Sequence, residues 1–123
     1  MSFYHLSKQE RVDTVAKISD TLLGDFKKEK IKSIVSYFSD EDTYIRKSAY
    51  LCVGRIYFSN KELQPVILHT LTLLSQKEDF KIRQTVINAA GEIGKKDFEN
   101  VQLFSIKDCL TRIIHHATLL LVL

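Results

Sequence analysis

IRKSAYLCVGRIY, at residues 45–57, is matched in register by IRQTVINAAGEIG at residues 82–94. Isoleucine, arginine, glycine and isoleucine recur in order, and Ile82 stands 37 places after Ile45 (82 − 45). A period of this length describes an array of stacked units, in which the apolar face of each unit is covered by its neighbour. Upstream, IKSIVSYF at 31–38 lines up with ILHTLTLL at 67–74, each followed by a serine, at a shift of 36 (67 − 31). One extra residue in the linking turn, SDEDTY against SQKEDFK, reconciles the two shifts. Each unit therefore reads as a first helix, a short polar turn and a second helix.

Composition agrees. The chain has 123 residues, enough for one compact domain that buries about two-thirds of its unfolded surface. With 45% hydrophobic and 27% charged residues, and only four glycines and one proline, it favours an all-helical protein over a loop-rich β architecture. The formal net charge of +3 is a weak excess for a polyanion binder. Cys52 and Cys109 lie far apart in apolar patterns without a CxxC pair, and read as buried free thiols of a reducing compartment. Neither a secretory leader nor a bilayer-length apolar run is expected, and the expected localisation is cytoplasmic.

The caps and stripes place the elements. Ser7-Lys8-Gln9-Glu10 has the form of a capping box, and Gly24 stands where a helix of 7–23 would stop. This first helix, with apolar Val12, Val15, Ala16, Leu22 and Leu23, matches the repeat poorly and reads as a terminal cap. The first repeat is expected over 25–58, with Asp25 capping its first helix and Ile31, Ile34, Val35 and Phe38 as its buried stripe. Lys27, Lys28, Lys30 and Lys32 surround that helix, interrupted by Glu29, and read as solvated surface rather than a phosphate site.

Asp40, Asp42 and Thr43 offer caps for the second helix, whose inner side is Ile45, Ala49, Cys52, Val53 and Ile56. The acidic turn lacks the glycine and distal glutamate of a calcium loop. The second repeat is expected over 65–94. Pro65 opens it, Asp79 caps its second helix, and Ile67, Leu68, Leu71, Leu74, Ile82, Val86, Ala89, Ala90 and Ile93 face inward. Leu103, Ile106, Leu110, Ile113 and Ile114 begin a partial third repeat over 101–123 that ends in HHATLLLVL. Its apolar end, 117–123, is expected to continue into further chain, to dock on the last helix pair, or to bury itself in a second copy. Neither His69 nor the pair His115 and His116 has metal-ligand spacing, so no metal and no cofactor is expected.

The lines DEDTYIRKSAYLCVGRI and EDFKIRQTVINAAGEIG resemble the HEAT repeat family, with an acidic turn, an aliphatic residue and arginine, a small residue, then glycine and isoleucine. The resemblance covers residues 31–94 closely. It implies an α-α superhelix of stacked antiparallel helix pairs. It also implies a structural ladder between repeats, formed by Asp40, Arg46 and Arg83, with Gln76 in the aspartate's place in the second unit and Asp79 as a displaced substitute. The second helices would line a concave face, presenting Lys47, Tyr50, Leu51 and Phe58 from one unit and Gln84, Ile87, Asn88 and Lys95 from the next.

No catalytic arrangement is present: there is no GxSxG, no phosphate-cradling glycine loop and no HExxH. The expected function is a non-enzymatic scaffold or adaptor that binds a protein partner, as a peptide or helix, on the concave face. Two alternatives stand beside it: a nucleic-acid-binding protein related to the HEAT-like alkylpurine DNA glycosylases, and a regulatory subunit of a larger enzyme. Against the first, the chain has no tryptophan.

Overall fold

The computed structural model describes residues 3–97 together with Glu99. Five α-helices follow one another: α1 (Lys8–Lys28), α2 (Lys32–Phe38), α3 (Thr43–Ser59), α4 (Gln64–Leu74) and α5 (Phe80–Gly94), with short 3-10 turns at Phe3–His5 and Lys61–Leu63. Among the described residues there is no strand, so the fold is all-helical. The expected third repeat at 101–123, Cys109, His115, His116 and the apolar run 117–123 lie outside the described residues.

Helix α1 starts as expected. The Glu10 N–H donates to Ser7 Oγ at 3.1 Å and the Ser7 N–H to Glu10 Oε1 at 3.2 Å, which closes the capping box. Hydrogen bonds from Ser7 hold the Glu10 carboxyl below its ordinary pKa.

Its end is not where glycine suggests. Helix α1 runs through Gly24 to Lys28 and stops at Glu29, which takes the left-handed conformation at φ 54°. The reason is the stripe Ile18, Leu22 and Phe26, each 1% exposed or less. Burying a phenylalanine is worth about 2–3 kcal/mol, more than the roughly 1 kcal/mol lost to a glycine inside a helix. Of the apolar residues of this helix, Val12 and Ala16 face water, and Val12 is 56% exposed.

The first repeat accordingly begins after residue 28. Asp25 still caps α2, but from inside α1: its Oδ2 accepts the Ser33 N–H at 3.0 Å. Helix α2 has no side-chain cap of its own at Ile31.

The two hairpins are built alike. Asp42 caps α3 by accepting the Tyr44 N–H at 2.9 Å, and Asp79 caps α5 by accepting the Lys81 N–H at 2.8 Å. These equivalent bonds stand 37 residues apart, as the repeat requires. The turn 39–42 has four residues and the turn 75–79 has five, which locates the extra residue. Pro65 lies in the first turn of α4, where its missing N–H removes no helical bond.

Helix α3 is the middle of the molecule and contacts the other four helices, most extensively α1 and α5. Its inner side, Ala49, Cys52, Val53, Ile56 and Tyr57, is buried against Ile18, Leu22 and Phe26 of α1, Ile34 and Phe38 of α2, Ile67, Leu71 and Leu74 of α4, and Ile82, Val86, Ala89, Ala90 and Ile93 of α5. The expected stripes are thus largely the core, with Ile45, Val35 and Leu68 at its edge. Among the described residues no helix is long and apolar enough to cross a membrane.

Candidate partner-binding cleft

Helices α3 and α5 run together closely because Gly54 has no side chain. A Cβ placed there would lie 3.1 Å from Glu92 Cβ. At the other end of the same contact the helices leave a shallow cleft of about 120 Å³, lined by Thr43, Arg46, Lys47 and Tyr50 of α3 and by Gln84, Thr85 and Asn88 of α5. Small-molecule pockets are typically several hundred Å³. This cleft suits individual side chains of a larger partner better than an enclosed ligand.

Four of the eight expected concave-face residues, Lys47, Tyr50, Gln84 and Asn88, meet in this cleft. Leu51 is half-buried on α3, and Ile87 is exposed on α5 but does not line the cleft. Phe58 and Lys95 lie beyond it. The Phe58 ring packs edge-on against Tyr57 with centroids 5.1 Å apart and has the Lys96 ammonium over its face at 5.7 Å. Lys95 pairs with Glu92 at 2.9 Å. Thr43 and Thr85 line the cleft without having been expected there, because which side of α3 meets α5 depends on where the two helices cross.

Lys47, Tyr50, Gln84 and Asn88 take no part in a hydrogen bond or ion pair of the fold among the described residues. Arg46 is different. Its Nη1 donates to the Asp40 carbonyl and its Nη2 to Thr43 Oγ1 at 3.2 Å, so its head is fixed over the turn. Arg83 repeats the first bond, donating from Nη1 to the Lys77 carbonyl at 3.4 Å. In both hairpins an arginine folds back on the carbonyl six residues before it.

Lys77, and not Gln76, is therefore the counterpart of Asp40 in this contact. The Asp40 carboxylate accepts the Asp42 N–H at 2.8 Å. The bonds of Asp40, Arg46 and Arg83 stay inside their own turns. The units are joined instead by Thr85, whose Oγ1 lies 2.6 Å from the Lys81 carbonyl and 3.3 Å from the Phe38 carbonyl of the preceding hairpin. Tyr57 adds a second link, its hydroxyl donating to Asp97 Oδ2 at 2.6 Å.

Asp42 ties the N-terminal turn to α3, accepting the Phe3 N–H on Oδ2 at 2.7 Å. That bond is the main reason its carboxyl titrates below the ordinary aspartate value of 3.8; the Tyr44 and Ile45 amides and the Arg46 charge act in the same direction, and desolvation opposes them. A lowered folded pKa stabilises above the unfolded pKa, and the contribution is lost as pH falls through the folded value. The Phe3 amide signal is expected to titrate with the Asp42 carboxyl, with a midpoint below 3.8. In Asp42→Asn that titration is expected to vanish; persistence of the same midpoint would assign it to another group.

Cys52 is a free, buried thiol, and burial pushes its pKa up, against smaller opposing effects of the Arg55 charge and a Ser19 hydrogen bond. Lys27, Lys28, Lys30 and Lys32 are all exposed, as is His69. Among the described residues no group of three or more His, Cys, Asp or Glu side chains could hold a metal ion.

No family model matches the chain, and neither a curated protein nor a solved structure proves similar to it.

Proposed function

We infer that the chain is a non-enzymatic interaction module of the HEAT-like kind, whose stacked helical hairpins present the α3–α5 cleft to an extended peptide or helix of a protein partner. The observation that carries this reading is the set Lys47, Tyr50, Gln84 and Asn88. These four polar or aromatic side chains gather in one cleft, and among the described residues none of them is held in a side-chain hydrogen bond or ion pair. Side-chain amides both donate and accept, so Gln84 and Asn88 match the alternating groups of a peptide backbone. Tyr50 offers apolar contact area with a polar tip, and Lys47 with the fixed Arg46 gives a cleft with no acidic residue on its wall. The best match is a neutral or acidic segment.

The stacking is supported by the repeated geometry, since caps and arginine bonds recur at the spacing of the sequence repeat. Nucleic acid is the weaker reading. Its support is Arg46 and Lys47 alone, and a net charge of +3 gives little of the phosphate-driven attraction on which such binding rests.

A double variant, Lys47→Ala with Tyr50→Ala, is expected to lower the yield of co-purified protein partners at least about tenfold, the effect of roughly 1.4 kcal/mol. Lys47 is exposed and Tyr50 packs only partly against the core, so the variant is expected to stay folded with a stability loss of about 1–2 kcal/mol. Unchanged partner recovery would remove the cleft from the interface. Titration with labelled duplex at low and high salt separates the readings, because tight, salt-sensitive binding favours nucleic acid.

A further inference from the structure

The repeat lets the covered face of one helix be read onto its counterpart. On α3, Thr43, Arg46, Tyr50 and Gly54 form the stripe that meets α5, with Gly54 at the closest approach. Shifted by 37, the same positions on α5 are Phe80, Arg83, Ile87 and Gly91. They lie at i, i+3, i+7 and i+11, which is one stripe of a helix. Among the described residues nothing covers them: Phe80 is 63% exposed, Ile87 is 44% exposed, and a Cβ at Gly91 would meet nothing within 4 Å. A phenylalanine, an isoleucine and a notch are thus aligned on an open surface where the preceding hairpin has an interface.

We propose that this α5 stripe is the docking surface for the chain's own residues 101–123. Two observations favour that occupant. Asp97 is anchored to Tyr57 at 2.6 Å, so the chain leaves the end of α5 from a fixed point, and the four residues to 101 reach at most about 14 Å. The segment then carries Leu103, Ile106, Leu110, Ile113 and Ile114 at helical spacing, followed by five apolar residues at 119–123. It supplies apolar surface that needs cover within reach of a stripe that needs the same. The proposal does not depend on what the α3–α5 cleft binds.

The test uses the full chain and hydrogen exchange read by mass spectrometry, with Ile87→Asp and Gly91→Leu as independent variants. Both positions are exposed, so α1 to α3 are expected to keep their protection in either. In the wild type the amides of 101–114 are expected to exchange slowly, and in each variant about tenfold faster or more. Absence of protection in the wild type, or protection unchanged in both variants, overturns the proposal. Sedimentation at low and high concentration distinguishes the rival occupant: a dimer that Ile87→Asp dissolves would assign the stripe to a second copy and overturn it equally.

Discussion

Gly54→Leu is expected to destabilise the chain by about 2 kcal/mol, whereas Gly24→Leu, also inside a helix, is expected to stabilise it by somewhat under 1 kcal/mol. Both substitutions gain the helix propensity that glycine lacks. They differ in what the new side chain meets. At Gly24 there is nothing within 4 Å, but at Gly54 the first added carbon already lies 3.1 Å from Glu92 Cβ. That atom is attached to the α5 backbone and cannot swing away, so a leucine forces α3 and α5 apart.

The Glu92–Lys95 pair contributes little to this balance, because Lys95 is 68% exposed and such surface pairs are worth about 0–1 kcal/mol. Gly54→Ala divides the two effects and is expected to fall within about 1 kcal/mol of wild type. Urea unfolding of the four proteins measures the series. If Gly54→Leu unfolds at the wild-type midpoint, the helices are not in close contact at this position. The same separation would widen the cleft, since Thr43 and Tyr50 stand on α3 and Gln84 and Asn88 on α5. Partner binding and stability are therefore expected to fall together in Gly54→Leu, whereas Lys47→Ala with Tyr50→Ala costs binding without opening the helix contact, Tyr50 giving up only its partial packing on the core.

The repeat made much of this readable in advance, since its apolar spacing, two aspartate caps and Pro65 lie within a few residues of each element. What depends on local chemistry came out as expected, as at Ser7, Asp42 and Asp79. Features set by distant contacts did not. Gly24 reads as a stop until Phe26 is known to be buried. Asp25 reads as the start of α2 until it is seen capping that helix from α1. Arg46 and Arg83 read as links between repeats, but each has a carbonyl of its own turn within reach, and the link falls to Thr85, whose short hydroxyl lies against the end of α2. In the cleft, four of the expected residues meet because helical spacing fixes which side chains share a face. The others fall away because the crossing point at Gly54 and Glu92, which spacing does not encode, decides where the two faces converge.

Tyr57 is the side chain whose loss is expected to cost most. It is completely buried, and it was hidden in the repeat because its counterpart at the matching position is Gly94. Its ring packs against Phe58 and its hydroxyl reaches 40 residues along the chain to Asp97, while its carbonyl accepts from Gln64 Nε2 at 3.1 Å. One residue thus ties α3 to the start of α4 and to the segment leaving α5. Tyr57→Ala empties the ring's volume from a closed core and is expected to cost about 3–5 kcal/mol. That is comparable to the whole stability of many small domains, so the variant is expected to be largely unfolded at 37 °C.

Tyr57→Phe keeps the ring and removes only the donor to a carboxylate, for which about 1–2 kcal/mol is expected because Asp97 is half-buried and water can take part of the donor's place. Asp97→Asn weakens the same bond from the other side. If the hydroxyl and the carboxylate act on each other, the double variant costs less than the sum of the two singles by about 1 kcal/mol, measured by urea unfolding. Strict additivity would mean that the hydroxyl stabilises through some other partner. In that case Asp97 would no longer fix the point from which the following residues leave α5, and the short reach from there to the exposed α5 stripe would lose its anchor.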